Sequence, residues 1–154
     1  MRVSINPYKT NIFVDSCAFD PKYDPEDKAS ETLFNNDRLN LIIAHSNMKE
    51  IEHPNTPNWV KKKALSRIQT IETHLTPKEN SIRNNIHAIL TGNGNPEKME
   101  QDAYHVFESH KYGSYFVTTD NRILDKRDKI SKVSNACILK PSELLILTVS
   151  KALI

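Results

Sequence analysis

The chain has few glycines and cysteines and no long hydrophobic segment. Its 154 residues include three glycines and two cysteines. Cys17 and Cys137 are too few and too far apart in sequence for a disulfide framework or a zinc ribbon, so a reducing cytosol is the expected compartment. No apolar segment is long enough to cross a bilayer, and residues 1–9 hold no continuous apolar stretch typical of a signal peptide. We therefore expect a cytoplasmic protein without a membrane partner.

A strong charge of one sign is also lacking. The 21 basic and 19 acidic residues give a formal net charge of +2, which neither requires nor excludes a nucleic-acid partner. The length predicts a single domain over residues 1–154, and no repeat or linker divides it. The Gly-rich segment 91–96 does not match a phosphate-binding loop, because no Lys-Ser/Thr pair follows it and no strong strand precedes it.

Short apolar segments alternate with helical patterns along the chain. The apolar segments predict four strands, at 12–14, 39–44, 115–118 and 136–139. Apolar periodicity and N-cap residues predict helices over 27–35, 48–52, 57–75, 77–90, 96–112, 121–129 and 141–147. The helices over 57–75 and 77–90 are expected to pack as an antiparallel hairpin. This alternation predicts an α/β fold, in which helices cover both faces of a parallel sheet.

Two of the predicted strands lead directly to an aspartate. Asp15 follows Ile-Phe-Val, and Asp120 follows Tyr-Phe-Val-Thr-Thr. Both are expected at the carboxyl edge of the sheet, where open α/β sheets place their sites. Glu50, one helical turn beyond the second strand, and Asp102, in the second turn of its helix, are placed to reach the same edge. A pocket of four carboxylates is typical of a site for hard divalent cations.

Three of these acids also have a structural interpretation. Asp120 is placed to cap the helix that follows it, and Glu50 is placed to form a capping box with Asn47. Asp102 fits an ordinary solvated position on its helix. Asp15 ends a buried segment and is followed by Ser-Cys-Ala instead of turn residues, so it has no evident structural purpose.

The ordered set of acids resembles the PIN domain family, which includes the VapC-type toxins of bacterial and archaeal toxin–antitoxin pairs. The resemblance covers residues 10–148 and depends on Phe-Val-Asp15-Ser, Ser46-Asn-Met-Lys-Glu50-Ile, Gln-Asp102-Ala and Val-Thr-Thr-Asp120-Asn-Arg-Ile-Leu. Asp15 comes later in the chain than the first acid of the minimal toxins. The segment 20–25 is also longer and more acidic than a plain connection requires.

The resemblance implies a Rossmann-like three-layer α/β/α sandwich and a metal-dependent endoribonuclease. Such an enzyme uses Mg²⁺ or Mn²⁺ to cut RNA into products with 5′-phosphate and 3′-hydroxyl ends. The implied catalytic and metal-binding residues are Asp15, Glu50, Asp102 and Asp120, with Asp15 and Asp120 as the direct ligands. The implied partners are an RNA substrate and an antitoxin protein. The apolar hairpin predicted over 56–90 offers a surface for a protein partner or for a homodimer.

Hydroxyl and basic side chains near the acids are candidates for contact with the substrate. Ser16 and Thr119 are placed to hydrogen-bond the carboxylates or the substrate. Arg122 and Lys126 belong to a basic cluster directly after Asp120, which is favoured for contact with phosphate. A second basic segment, residues 59–67, combines Trp59 with lysines and an arginine, and is better interpreted as a solvated helix face.

Other enzyme classes fit the sequence less well. A haloacid-type phosphatase needs Asp-x-Asp after the first strand, and a tyrosine-phosphatase loop needs Arg where the chain has Tyr23. Cys17 is therefore expected to be a small buried residue near the site. The rival hypothesis is a non-catalytic PIN-like module that binds RNA or a protein. Retention of all four acids argues against it, because burying unpaired carboxylates costs stability.

Overall fold

The computed structural model describes residues 5–18, 21–43, 54, 58 and 74–152. The predicted helix over 48–52 lies outside these residues, as do Glu50, Asn47 and the basic segment 59–67. The helix predicted over 57–75 lies almost wholly outside them. The predicted packing of this helix against the next one therefore lies outside the described residues as well.

The described strands form one parallel sheet in the order β2-β1-β3-β4. The four strands are β1 (Asn11–Val14), β2 (Asn40–Ile42), β3 (Tyr115–Val117) and β4 (Cys137–Leu139). In the register of the sheet, Phe13 pairs with Ile42 on one side and with Phe116 on the other. The prediction of a parallel sheet is therefore confirmed, although β2 is shorter than the apolar segment 39–44.

Six α-helices and two short 3-10 turns accompany these strands in the described residues. The 3-10 turns are Pro7–Lys9 and Ser16–Ala18, and the helices are α1 (Glu26–Phe34), α2 (Pro77–Thr91), α3 (Pro96–Tyr112), α4 (Asn121–Leu124), α5 (Arg127–Val133) and α6 (Pro141–Ala152). Thr76 and Glu79 form the predicted capping box of α2. The Asn95 side chain caps α3 by accepting a hydrogen bond from the backbone N–H of Glu97. No helix in this part of the chain combines the length and the apolar composition that crossing a membrane requires.

Two predicted helix boundaries were wrong. The single basic helix expected over 121–129 is broken, because α4 ends at Leu124 and α5 begins at Arg127. The turn between them lets Ile123 and Ile130 both reach the same buried cluster. The last helix continues from the predicted end at Leu147 to Ala152.

Helices cover both faces of the sheet, and the strands supply side chains to each face in alternation. One face carries Ile12 and Val14, which belong to a core cluster with residues of α1 and α6. The other face carries Phe13, which belongs to a cluster with residues of α2, α3 and α5. This alternation is the consequence of the two-residue repeat of a β-strand. Each large apolar side chain buried in these clusters stabilises the fold by roughly 1.5–3 kcal/mol.

The direction of α3 brings its first turns toward the carboxyl edge of the sheet. At its other end, the Asn11 side chain donates a hydrogen bond of 2.7 Å to the carbonyl oxygen of Tyr112. Gly113 then passes so close to β1 that an added Cβ atom would lie 2.6 Å from the carbonyl oxygen of Asn11. The C-terminal end of α3 is thus fixed at the amino end of β1, and Asp102 lies toward the opposite edge.

Candidate carboxylate site at the sheet edge

The strand order places a topological switch point between the carboxyl ends of β1 and β3. The chain leaves β1 for β2 on one side and later returns to β3 on the other side of β1. In open α/β sheets, ligands bind at the point where the strand order reverses in this way. Asp15 follows β1 and Asp120 follows β3, so both lie at this switch point.

Asp15 is held in a network of hydrogen bonds although it is only 4% exposed. Its backbone N–H extends the sheet by donating to the carbonyl oxygen of Val117 at 2.8 Å. Its Oδ1 atom accepts a bond of 2.9 Å from the backbone N–H of Ser16. The Thr118 hydroxyl donates to its Oδ2 atom at 2.8 Å. The side chain is thereby fixed in one orientation.

Thr118 links the two aspartates that follow the strands. Its side chain is fully buried, and its hydroxyl donates to Asp15 while accepting a bond of 3.0 Å from the backbone N–H of Asp120. The sequence predicts Thr119 as the partner of a carboxylate, whereas the structure has Thr118 in that role. The pairing of Val14 with Val117 explains the difference, because the next residues along the two strands, Asp15 and Thr118, are then neighbours.

Cys17 as a whole residue is exposed, so the expectation that it is buried was wrong, although its sulfur atom packs inward against the site. Its Sγ atom lies 3.4 Å from Asp15 Oδ2 and 3.3 Å from the Thr118 hydroxyl. Desolvation of the sulfur, followed by the charge of Asp15, raises the pKa of the Cys17 thiol to about 11. The thiol therefore stays protonated at neutral pH. Because a nucleophilic cysteine requires the thiolate, Cys17 acts here as a weak hydrogen-bond donor and not as a nucleophile.

Asp120 caps α4, as the structural interpretation of this residue proposed. Its Oδ1 atom accepts a hydrogen bond of 2.9 Å from the backbone N–H of Arg122. The Arg122 guanidinium also donates from Nη2 to Asp120 Oδ2 at 2.7 Å. Partial burial acts to raise the pKa of Asp120, but the hydrogen bonds and charge of Arg122 outweigh it and lower the pKa. Asp120 is thus an ionised carboxylate with a cation beside it.

Asp102 is not the solvated residue that one interpretation of the sequence allowed. Its side chain is only 14% exposed, and its Oδ2 atom lies 3.6 Å from Arg122 Nη2. Burial raises the pKa of Asp102 to about 6, and the charge of Asp15 adds to this effect. His105 and Arg122 act in the opposite direction, and Asp120 contributes a smaller increase. Three acids from separate segments therefore influence one another at this edge.

These three carboxylates are chemically suited to Mg²⁺ or Mn²⁺, which prefer oxygen ligands. A divalent cation would also offset the mutual repulsion that opposes the ionisation of Asp102. Within residues 5–18, 21–43 and 74–152, however, no three His, Cys, Asp or Glu side chains already converge as a metal cage. The donor set therefore fits a divalent cation in its chemistry, while Arg122 pairs with two of the acids in this conformation.

The other predicted contact residues occupy different positions around the acids. Ser16 contributes its backbone N–H to Asp15. The Thr119 hydroxyl donates to the carbonyl oxygen of Cys17 at 3.4 Å, so its partner is a backbone group and not a carboxylate. Lys126 places its ammonium group beside Gly92 at the C-terminal end of α2. Arg122 is thus the predicted phosphate contact that lies closest to the acids.

Comparisons with known proteins gave no match, whether with protein-family models, curated proteins or solved structures.

Proposed function

We propose that this protein is a metal-dependent endoribonuclease of the PIN type that hydrolyses phosphodiester bonds of RNA. The observation that carries the proposal is the gathering of Asp15, Asp102 and Asp120 at the switch point of a parallel sheet. We assign these three residues, together with Glu50, to the binding of Mg²⁺ or Mn²⁺. The choice of RNA as the substrate and of an antitoxin protein as a partner depends on the family resemblance.

The cost of this arrangement supports a functional site. Asp102 is largely buried next to other acids, and its raised pKa means that its ionisation destabilises the folded protein. Acids whose pKa values are shifted by desolvation and by nearby charges are concentrated at functional sites. Asp102 is therefore better explained by a cation or a reaction that requires it than by stability.

The groups around the carboxylates have distinct roles in the proposed reaction. When bound, a divalent cation polarises the phosphate and lowers the pKa of a water molecule. The Thr118 hydroxyl and the backbone N–H of Ser16, at the start of the 3-10 turn, hold the Asp15 carboxylate in a fixed orientation. Arg122, whose side chain is 64% exposed, can exchange Asp120 for a phosphate oxygen.

A cleavage assay on Asp120→Asn tests this proposal directly. Asparagine caps a helix as well as aspartate does, so this variant preserves the start of α4 and removes the negative charge together with the ion pair to Arg122. We expect the wild-type protein to cut RNA with Mg²⁺ or Mn²⁺ and to lose this activity in EDTA. The variant should lose at least about 100-fold in rate, equivalent to roughly 2.7 kcal/mol of activation free energy.

Asp37→Asn is the matched control, because Asp37 is an exposed aspartate in the turn before β2. It should cleave RNA like the wild type. Cleavage that survives in EDTA or in Asp120→Asn would refute the metal-dependent mechanism. RNA binding without any cleavage would instead favour the non-catalytic module.

A further inference from the structure

The Arg122 guanidinium is shared between two acids of the candidate site. Its Nη2 atom lies 2.7 Å from Asp120 Oδ2 and 3.6 Å from Asp102 Oδ2. Its Nε atom is 3.1 Å from Asp120 Oδ1, so the contact with Asp120 is bidentate. Arg122 also interacts electrostatically with Asp15. One cation therefore interacts with all three described carboxylates.

In this position the Arg122 guanidinium supplies the positive charge that a bound metal ion would otherwise supply. A guanidinium beside Asp120 and Asp102 reduces their repulsion, and it occupies carboxylate oxygens that a metal ion needs as ligands. The guanidinium and a metal ion compete for these oxygens, because each needs carboxylate lone pairs and the two positive charges repel each other. Arg122 is nevertheless accessible, since 64% of its side chain is exposed. Release of this side chain into solvent therefore requires no rearrangement of the core.

We propose that Arg122 is an internal counter-ion that competes with the divalent cation for Asp102 and Asp120 until a substrate phosphate releases it. The inference rests on the proposed function, because it assumes that these acids bind metal. A phosphate group offers the guanidinium the same bidentate geometry that Asp120 offers. Phosphate binding then frees the carboxylates for the metal ion. By linkage, bound metal must strengthen phosphate binding by the same factor.

The test compares Mn²⁺ binding by calorimetry in the wild type, Arg122→Gln and Lys129→Gln. Lys129 is an exposed base on α5, and its substitution changes the net charge by the same amount. We expect Arg122→Gln to bind Mn²⁺ about fivefold more tightly than the wild type, equivalent to about 1 kcal/mol, which is the upper value for an exposed ion pair. Lys129→Gln should change this affinity by less than about twofold.

Adenosine 5′-monophosphate serves as the phosphate probe, because it contains no phosphodiester bond that the protein could cut. The contribution of Mn²⁺ binding to the nucleotide itself is measured in a titration without protein and subtracted. The nucleotide should tighten Mn²⁺ binding by the wild type and leave Arg122→Gln unchanged. An equal effect on both proteins would overturn release by phosphate.

The remaining outcomes separate this inference from the proposed function. If the wild type binds Mn²⁺ but Arg122→Gln binds it equally or more weakly, Arg122 is not a competitor, although the metal site stands. If none of the three proteins binds Mn²⁺, the metal site itself is refuted and the inference fails with it.

Discussion

Thr118 is a single buried residue on which the geometry of the candidate site depends. The sequence predicted Asp15 and Asp120, because each acid follows an apolar segment with a clear end. It did not predict Thr118, and selected Thr119 for the contact with a carboxylate. Successive side chains near a strand point to opposite faces, so an uncertainty of one residue reverses the prediction. The positions of acids at strand ends are thus easier to predict than the hydroxyls that orient them.

Asp102→Asn should stabilise the metal-free protein at neutral pH. The folded-state pKa of Asp102 is raised to about 6, so the stabilising contribution of its protonated carboxyl is fully present below the unfolded pKa. That contribution is lost as the pH rises through about 6, and an uncharged Asn side chain avoids the loss. After allowance for solvent screening, we expect the free energy of unfolding of the variant to exceed that of the wild type by about 1–2 kcal/mol at pH 8 and to differ little from it at pH 4.

Urea unfolding in EDTA at both pH values measures this difference. Asp37→Asn is again the control, and it should change the free energy of unfolding by less than about 0.5 kcal/mol. If Asp102→Asn is equally destabilising at both pH values, the carboxylate is a structural partner instead of a strained functional acid.

At the scale of secondary-structure elements, a buried carboxylate connects the starts of α1 and α6. Glu26 is 3% exposed, and it accepts hydrogen bonds of 2.8 Å from both the backbone N–H and the hydroxyl of Ser142. A carboxylate near the N-terminus of a helix is favourable because that end carries partial positive charge. The helix predicted over 27–35 begins one residue after Glu26, and nothing local in the sequence indicates a partner 116 residues away.

Glu26→Gln tests this connection between elements. Glutamine replaces one of the two carboxylate oxygens with an amino group, so the variant loses the negative charge and one of the two acceptors that Ser142 uses in this partly buried position. We expect the free energy of unfolding to fall by about 1–3 kcal/mol, measured by urea denaturation. Glu31→Gln is the matched control, because Glu31 is an exposed residue of the same helix. Equal effects of the two substitutions would show that the bonds to Ser142 contribute nothing to stability.

At the scale of the whole molecule, topology brings together acids that are distant in sequence. Alternation of strands and helices predicted the parallel sheet, and the observed sheet has helices on both faces. The order β2-β1-β3-β4 was not predicted, because strand order depends on long-range packing that periodicity does not report. That order makes Asp15 and Asp120 neighbours across the switch point, and the direction of α3 adds Asp102. The predicted hairpin over 57–90 remains a prediction.

The most direct test of the central claim is the shift in Tm that Mn²⁺ causes in the wild type and in Asp15→Asn. At a Mn²⁺ concentration about 100 times the Kd, a bound ion stabilises the folded state by about 2.7 kcal/mol, which corresponds to roughly 5–10 °C for a protein of this size. Each shift is measured from the variant's own metal-free Tm. We expect Asp15→Asn to lose most of the shift and Asp37→Asn to retain it. An equal shift in Asp15→Asn, or none in the wild type, would contradict a metal site at this edge.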